Sequence, residues 1–129
     1  MCASSDPGYA QRFPALAAVV LEESWVLNFR VSGTTATFDL DAVLTAEHSQ
    51  YRPPGPNDLY ATMHGLLTIA GRTLAFQPSY APPAIDATGA PDYGHIDTFD
   101  LVDEASDRWE LTGSWGRITV TDPKISIVW

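Results

Sequence analysis

The chain has 129 residues, 45% of them apolar, with 16 Asp plus Glu against 7 Lys plus Arg and a formal charge of -9. This length suits one β domain over residues 1–129. The acid excess argues against nucleic acid, which needs clustered Lys and Arg, and against an anionic membrane surface, while the four Trp, five Tyr and five Phe argue against an acidic disordered tail.

Residues 1–13 are expected to fray. Cys2 is the only cysteine, so no intramolecular disulfide or Cys-based zinc site forms within one chain, and a free thiol is expected. The apolar run Ala15 to Leu21 is too short to span a bilayer and lacks a signal-peptide layout. No Asn-x-Ser/Thr sequon occurs, and the expected compartment is the cytoplasm. Pro14 to Leu21 predicts a short helix with proline in its first turn. Its adjacent valines would also accept a strand.

From Trp25 onward the pattern has period two. Trp25, Leu27, Phe29 and Val31 alternate with polar neighbours, Ser32-Gly33 reads as a turn, and Ala36, Phe38, Leu40, Ala42 and Leu44 form the return strand. A second hairpin is expected from Leu59 to Ile69, with Ala70-Gly71 as its turn and Leu74 and Phe76 beyond. Two long proline-rich loops, 45–58 and 78–94, interrupt the strands. His95 to Val102 reads as a strand with Phe99 and Leu101 in phase, and Glu104 to Asp107 as a polar turn. Trp109 and Leu111 fall on odd positions, but Ile118 and Val120 on even ones. A β-bulge across Gly113 to Gly116 would reconcile them. Asp122-Pro123 is a turn, and Ile125, Ile127 and Trp129 share a face.

The expected fold is all-β, or β-rich α+β: an antiparallel β-sandwich or partly open barrel of seven or eight strands with at most one short N-terminal helix.

Several residue types could carry function. His95 and Asp97 stand two apart in a strand, a usable metal-ligand spacing, but no third ligand follows and no metal or cofactor is expected. His64 is expected on the solvent side of its strand. Asp39 and Asp41 share the face opposite Phe38 and Leu40, where carboxylates commonly solvate a sheet or blunt an edge. No serine lies in a Gly-x-Ser-x-Gly frame, and no catalytic residue is assigned. Six carboxylates, Asp97, Asp100, Asp103, Glu104, Asp107 and Glu110, crowd into one predicted hairpin, with only Arg108 among them. Such a patch steers a basic partner. Tyr51, Tyr60, Tyr80 and Tyr93 flank the proline loops, and Trp115 sits at the predicted bulge. Rigid amphipathic rings at loops suit recognition, and they also pack on proline.

Three stretches carry a resemblance: Asp41 to His48 with Tyr51 to Pro56, Asp92 to Phe99, and Leu111 to Val120. Together they resemble small bacterial all-β proteins of uncharacterised function. The resemblance implies a β domain and brings no activity, cofactor or site residue with it.

Three functional expectations follow. The first is a non-catalytic, acidic interaction protein meeting a basic protein, for example as an immunity-type inhibitor of a basic toxin or nuclease. Its candidate binding residues are Tyr51, Tyr60, Tyr93, His95, Asp97 and Trp115. The second is a small-molecule or enzymatic β-barrel whose site is lined by Tyr and His from the long loops. The third is a homo-oligomer through the apolar strand Ile125 to Trp129, unless that strand is central and buried.

Overall fold

The computed structural model describes residues 8–54, 56, 61–78, 84–85 and 91–129. Two antiparallel four-stranded sheets face each other as an open sandwich. Sheet A has the order β1 (Val19–Ser32), β2 (Thr35–Leu44), β3 (Thr62–Ala70), then β10 (Lys124–Val128). Sheet B has the order β4 (Thr73–Pro78), β9 (Gly116–Thr121), β8 (Arg108–Gly113), then β7 (Ile96–Asp103). A two-residue ribbon, β5 (Ala84–Ile85) with β6 (Pro91–Asp92), pinches the second proline loop. Among the described residues no helix is long and apolar enough to cross a membrane.

The strands form because alternate residues are apolar and meet across the sandwich. In sheet A one row of direct partners runs Phe29, Phe38, Leu67, Ile127, and the next Val31, Ala36, Ile69, Ile125. In sheet B the matching rows are Phe99, Leu111, Ile118, Phe76 and Leu101, Trp109, Val120, Leu74. Most of these side chains belong to one buried cluster. Fully burying each Leu, Ile, Val or Phe contributes about 1.5–3 kcal/mol before conformational entropy is set against it.

Two chain crossings tie the sheets together. The corner at Gly71-Arg72 carries the chain from β3 in sheet A to β4 in sheet B, so β3 and β4 do not form the expected hairpin. The corner at Asp122-Pro123 carries it back, from β9 to β10. The corners meet: Arg72 N–H donates to Thr121 O at 2.8 Å, and Arg72 Nε to Asp122 Oδ2 at 2.9 Å. Glycine is required at 71, because a Cβ there would collide with Val120 and with the Thr121 carbonyl.

Other elements also depart from expectation. Residues from Gly8 on are built into the fold instead of fraying. Helix α1 (Gly8–Arg12) and the 3-10 turn Pro14–Leu16 set Tyr9, Phe13 and Leu16 into the core. The helix expected over 14–21 stops after that turn. Ala18 has a positive φ of 62°, and Val19 and Val20 pair with Leu44 and Val43. Tertiary pairing outweighs the weak helical signal, since β-branched residues fit a ladder well.

The predicted phase of β1 breaks at Leu27, an extra residue between the pairs Val26–Leu40 and Asn28–Asp39. This bulge turns Trp25 and Leu27 outward while Val26, Phe29 and Val31 face the core. By contrast, residues 113–116 hold no bulge. Gly113 pairs with Gly116 around the two-residue turn Ser114-Trp115, and such a turn pairs odd positions with even ones. The observed change of phase is the hairpin itself.

Candidate functional site

The structure separates the candidate binding residues. Tyr93, His95 and Trp115 gather at one end of the sandwich. Tyr93 meets Phe29 edge-on at 5.3 Å, and Trp115 lies 5.5 Å from Phe29 and 5.2 Å from Phe38. His95 meets Trp25 edge-on at 4.3 Å, where a β-bridge and a 2.8 Å bond from Val26 N–H to Gly94 O join β1 to the entrance of β7. These rings interlock as packing. Trp115 is buried, and its indole Nε1 has no hydrogen-bond partner among the described residues.

Tyr51 stays apart, half-buried on the first loop. That loop is pinned where His48 meets Trp129 edge-on at 4.8 Å, and burial holds the His48 imidazole pKa below its usual value. Asp97 is exposed on β7. Tyr60 lies outside the described residues, as do Tyr80 and Cys2. His64 is exposed on the outer face of sheet A, 3.5 Å from Asp39. Among the described residues, no group of three or more His, Cys, Asp or Glu is placed to hold a metal ion.

The acidic run is concentrated at the outer edge of sheet B. β7 is the last strand of that sheet, with Asp97 and Asp100 exposed along it and Glu104 exposed on the β7–β8 turn. The turn is locked by its own carboxylates. Asp103 accepts from Ser106 Oγ at 2.8 Å and from Ala105 N–H at 3.1 Å. Asp107 accepts from Trp109 Nε1 at 2.9 Å and from Arg12 at 2.7 Å. These bonds hold both carboxyls below the usual Asp range: chiefly the Ser106 hydroxyl for Asp103, and the Trp109 indole, then Arg12, for Asp107. Both therefore remain charged in mildly acidic solution.

Beside this turn lies an open groove of about 450 Å3, lined by Gln11, Arg12, Phe99, Asp100, Leu101, Glu104, Asp107 and Trp109. Leu101 shares the inward row with buried Trp109 yet is 42% exposed. Phe13 packs against two of these lining rings, stacked on Phe99 at 5.8 Å and edge-on to Trp109 at 5.0 Å. The Arg12 guanidinium lies 4.8 Å from the Phe13 ring centre while it grips Asp107. Tyr9 anchors this wall. Its hydroxyl accepts from Leu21 N–H at 3.0 Å and donates to Glu22 Oε2 at 2.8 Å, and burial keeps the phenol protonated far above its usual range.

Arg12, Phe13 and Leu101 were not among the sequence candidates. The available signal was Tyr9 and Phe13 four residues apart, an aromatic pair suited to one helix face. Comparison with protein-family models, with curated proteins and with solved structures finds no match for this chain.

Proposed function

We propose that this is a small, non-catalytic interaction protein of the cytoplasm that docks a basic protein on the acidic edge of sheet B, in the manner of an immunity-type partner of a basic toxin or nuclease. One observation carries the reading: the exposed carboxylates Asp97, Asp100 and Glu104 follow one another along a strand edge and its turn, next to a groove with an apolar wall. The opposing cations are few. Arg12 is committed to Asp107, and Arg117 stands 3.8 Å from Glu110. A patch of one sign raises the association rate of an oppositely charged partner and makes binding sensitive to salt.

The test is affinity capture from the native source at low and high salt, with the wild type and with Asp97→Lys/Asp100→Lys. A basic protein retained by the wild type at low salt, released by salt and lost on charge reversal is the expected result. Capture that ignores both salt and charge reversal would refute the reading. Self-association has a separate place available to it. β10 is the outer strand of sheet A, with Val128 66% exposed, so a second copy could add a strand there without touching the acidic edge.

A further inference from the structure

Resting on that reading of the acidic edge, we infer that the groove between α1 and β7 is the seat for one arginine side chain of the basic partner. The groove offers the two things such a side chain needs. Leu101, exposed on the inward row, with the edges of Phe99 and Trp109 beneath, gives an apolar wall for the methylene stem. Asp100, on the outward row at the strand edge, and Glu104, on the turn, both border the groove, and neither has an ion-pair partner among the described residues. Asp107 is already taken by Arg12 and the Trp109 indole, so the incoming charge falls to Asp100 and Glu104.

The chain's own Arg12 shows what the groove accepts. Its guanidinium is held at the rim by a 2.7 Å carboxylate bond while it lies against an aromatic ring. A second guanidinium alongside would find the same kind of carboxylate partner in Asp100 and Glu104. Arginine is favoured over lysine because its planar fork can bond two carboxylates at once, whereas an ammonium is a compact, strongly hydrated charge. The groove is open to solvent, so a side chain can enter it from a docked partner.

The probes are fluorescein-labelled hexa-arginine and hexa-lysine peptides, titrated against the intact chain by fluorescence anisotropy at low salt. Asp100→Asn/Glu104→Gln is expected to weaken hexa-arginine binding about tenfold. Leu101→Ser removes the apolar wall without changing charge and should also weaken it. Asp39→Asn/Asp41→Asn removes the same charge from the other sheet and should cost less than about threefold. Hexa-lysine should bind more weakly than hexa-arginine.

Equal losses for the two charge-neutral pairs, or no loss with Leu101→Ser, would overturn the groove while leaving the acidic edge as a docking face. Equal binding of the two peptides would overturn the arginine seat. If neither peptide binds the wild type, the groove fails; the docking face then stands or falls on the capture experiment. Thermal melts of each variant separate a binding loss from a folding loss.

Discussion

In the first half of the chain, β1, β2 and β3 form a meander in sheet A, and β4 is handed across to sheet B. In the second half, β7, β8 and β9 form a meander in sheet B, and β10 is handed back. The two paths match residue for residue where they pack. Phe29, Phe38 and Leu67 occupy the places of Phe99, Leu111 and Ile118, and each row ends on a strand lent by the other half, Ile127 or Phe76. The corners match too. Gly71 N–H donates to Thr34 O at 3.1 Å, and Asp122 N–H to Asp107 O at 3.0 Å, each corner leaning on the first turn of its own half.

The surfaces do not match. The outward row of sheet A reads Arg30, Thr37, Thr68, Ser126, and that of sheet B reads Asp100, Glu110, Thr119, Ala75. The first turn is Gly33-Thr34 in one half and the carboxylate-rich 104–107 in the other. Packing thus constrains both halves alike, while the face available to a partner differs. That difference is the reason for placing function on β7 and β8.

Removing a matched core residue from either half tests the equivalence with the largest expected effect. Phe38→Ala should cost about 3–5 kcal/mol and Leu111→Ala about 2–5 kcal/mol in urea unfolding. A loss below about 1 kcal/mol at either position would mean that the halves do not share the load.

A bulge held by a buried serine should sharpen the contrast. The wide bulge of β1, Leu21 to Ser24, is held by buried Ser24, whose Oγ donates to Val20 O at 2.7 Å and accepts from Val43 N–H at 3.0 Å. Ser24→Ala leaves two backbone groups short of a partner and should lower stability by about 1–3 kcal/mol, again read by urea unfolding. A neutral result would show the bulge to be self-supporting.

The smallest effect separates the two first turns by pH. Asp107 has its folded pKa below the unfolded value near 3.8, so its stabilisation is present above that value and is lost as pH falls through the folded one. Its side chain and that of Arg12 are 28% and 47% exposed, so solvent screening keeps the contribution below about 1 kcal/mol. Asp107→Asn should therefore lower Tm at neutral pH and flatten the fall in Tm on acidification below about pH 4. An unchanged acid limb would show that Arg12 and Trp109 do not stabilise the ionised form.

Much of the fold was legible because sheet packing leaves a period-two record. The β1–β2 hairpin, the 104–107 turn and the Asp122-Pro123 turn fall where alternation and turn residues place them. The inward faces of β2, β8 and β9 were also readable from Phe38, Leu40, Trp109, Leu111, Ile118 and Val120. The bulge at Leu27 was hidden because an extra residue in one strand shows only against its partner. The Ala70-Gly71 corner looked like a hairpin turn because both a hairpin and a sheet crossing need a tight reversal, and the difference lies in which strand each arm pairs with.

For the site, the acidic run was visible as composition, and its sidedness was not. The groove needed α1, whose short helical segment has little helical stability of its own and is held by Tyr9 and Phe13 burying into the core. The sequence by itself determined the charge, the alternation, the turn chemistry and the concentration of carboxylates between Asp97 and Glu110, all of which are local. Only the tertiary structure decided that β4 and β10 exchange sheets, that β7 is an outer strand, and that Leu101 is left uncovered beside unpaired carboxylates. Those outcomes depend on contacts between segments far apart in the chain, where burial of apolar rows across two sheets outweighs any local preference.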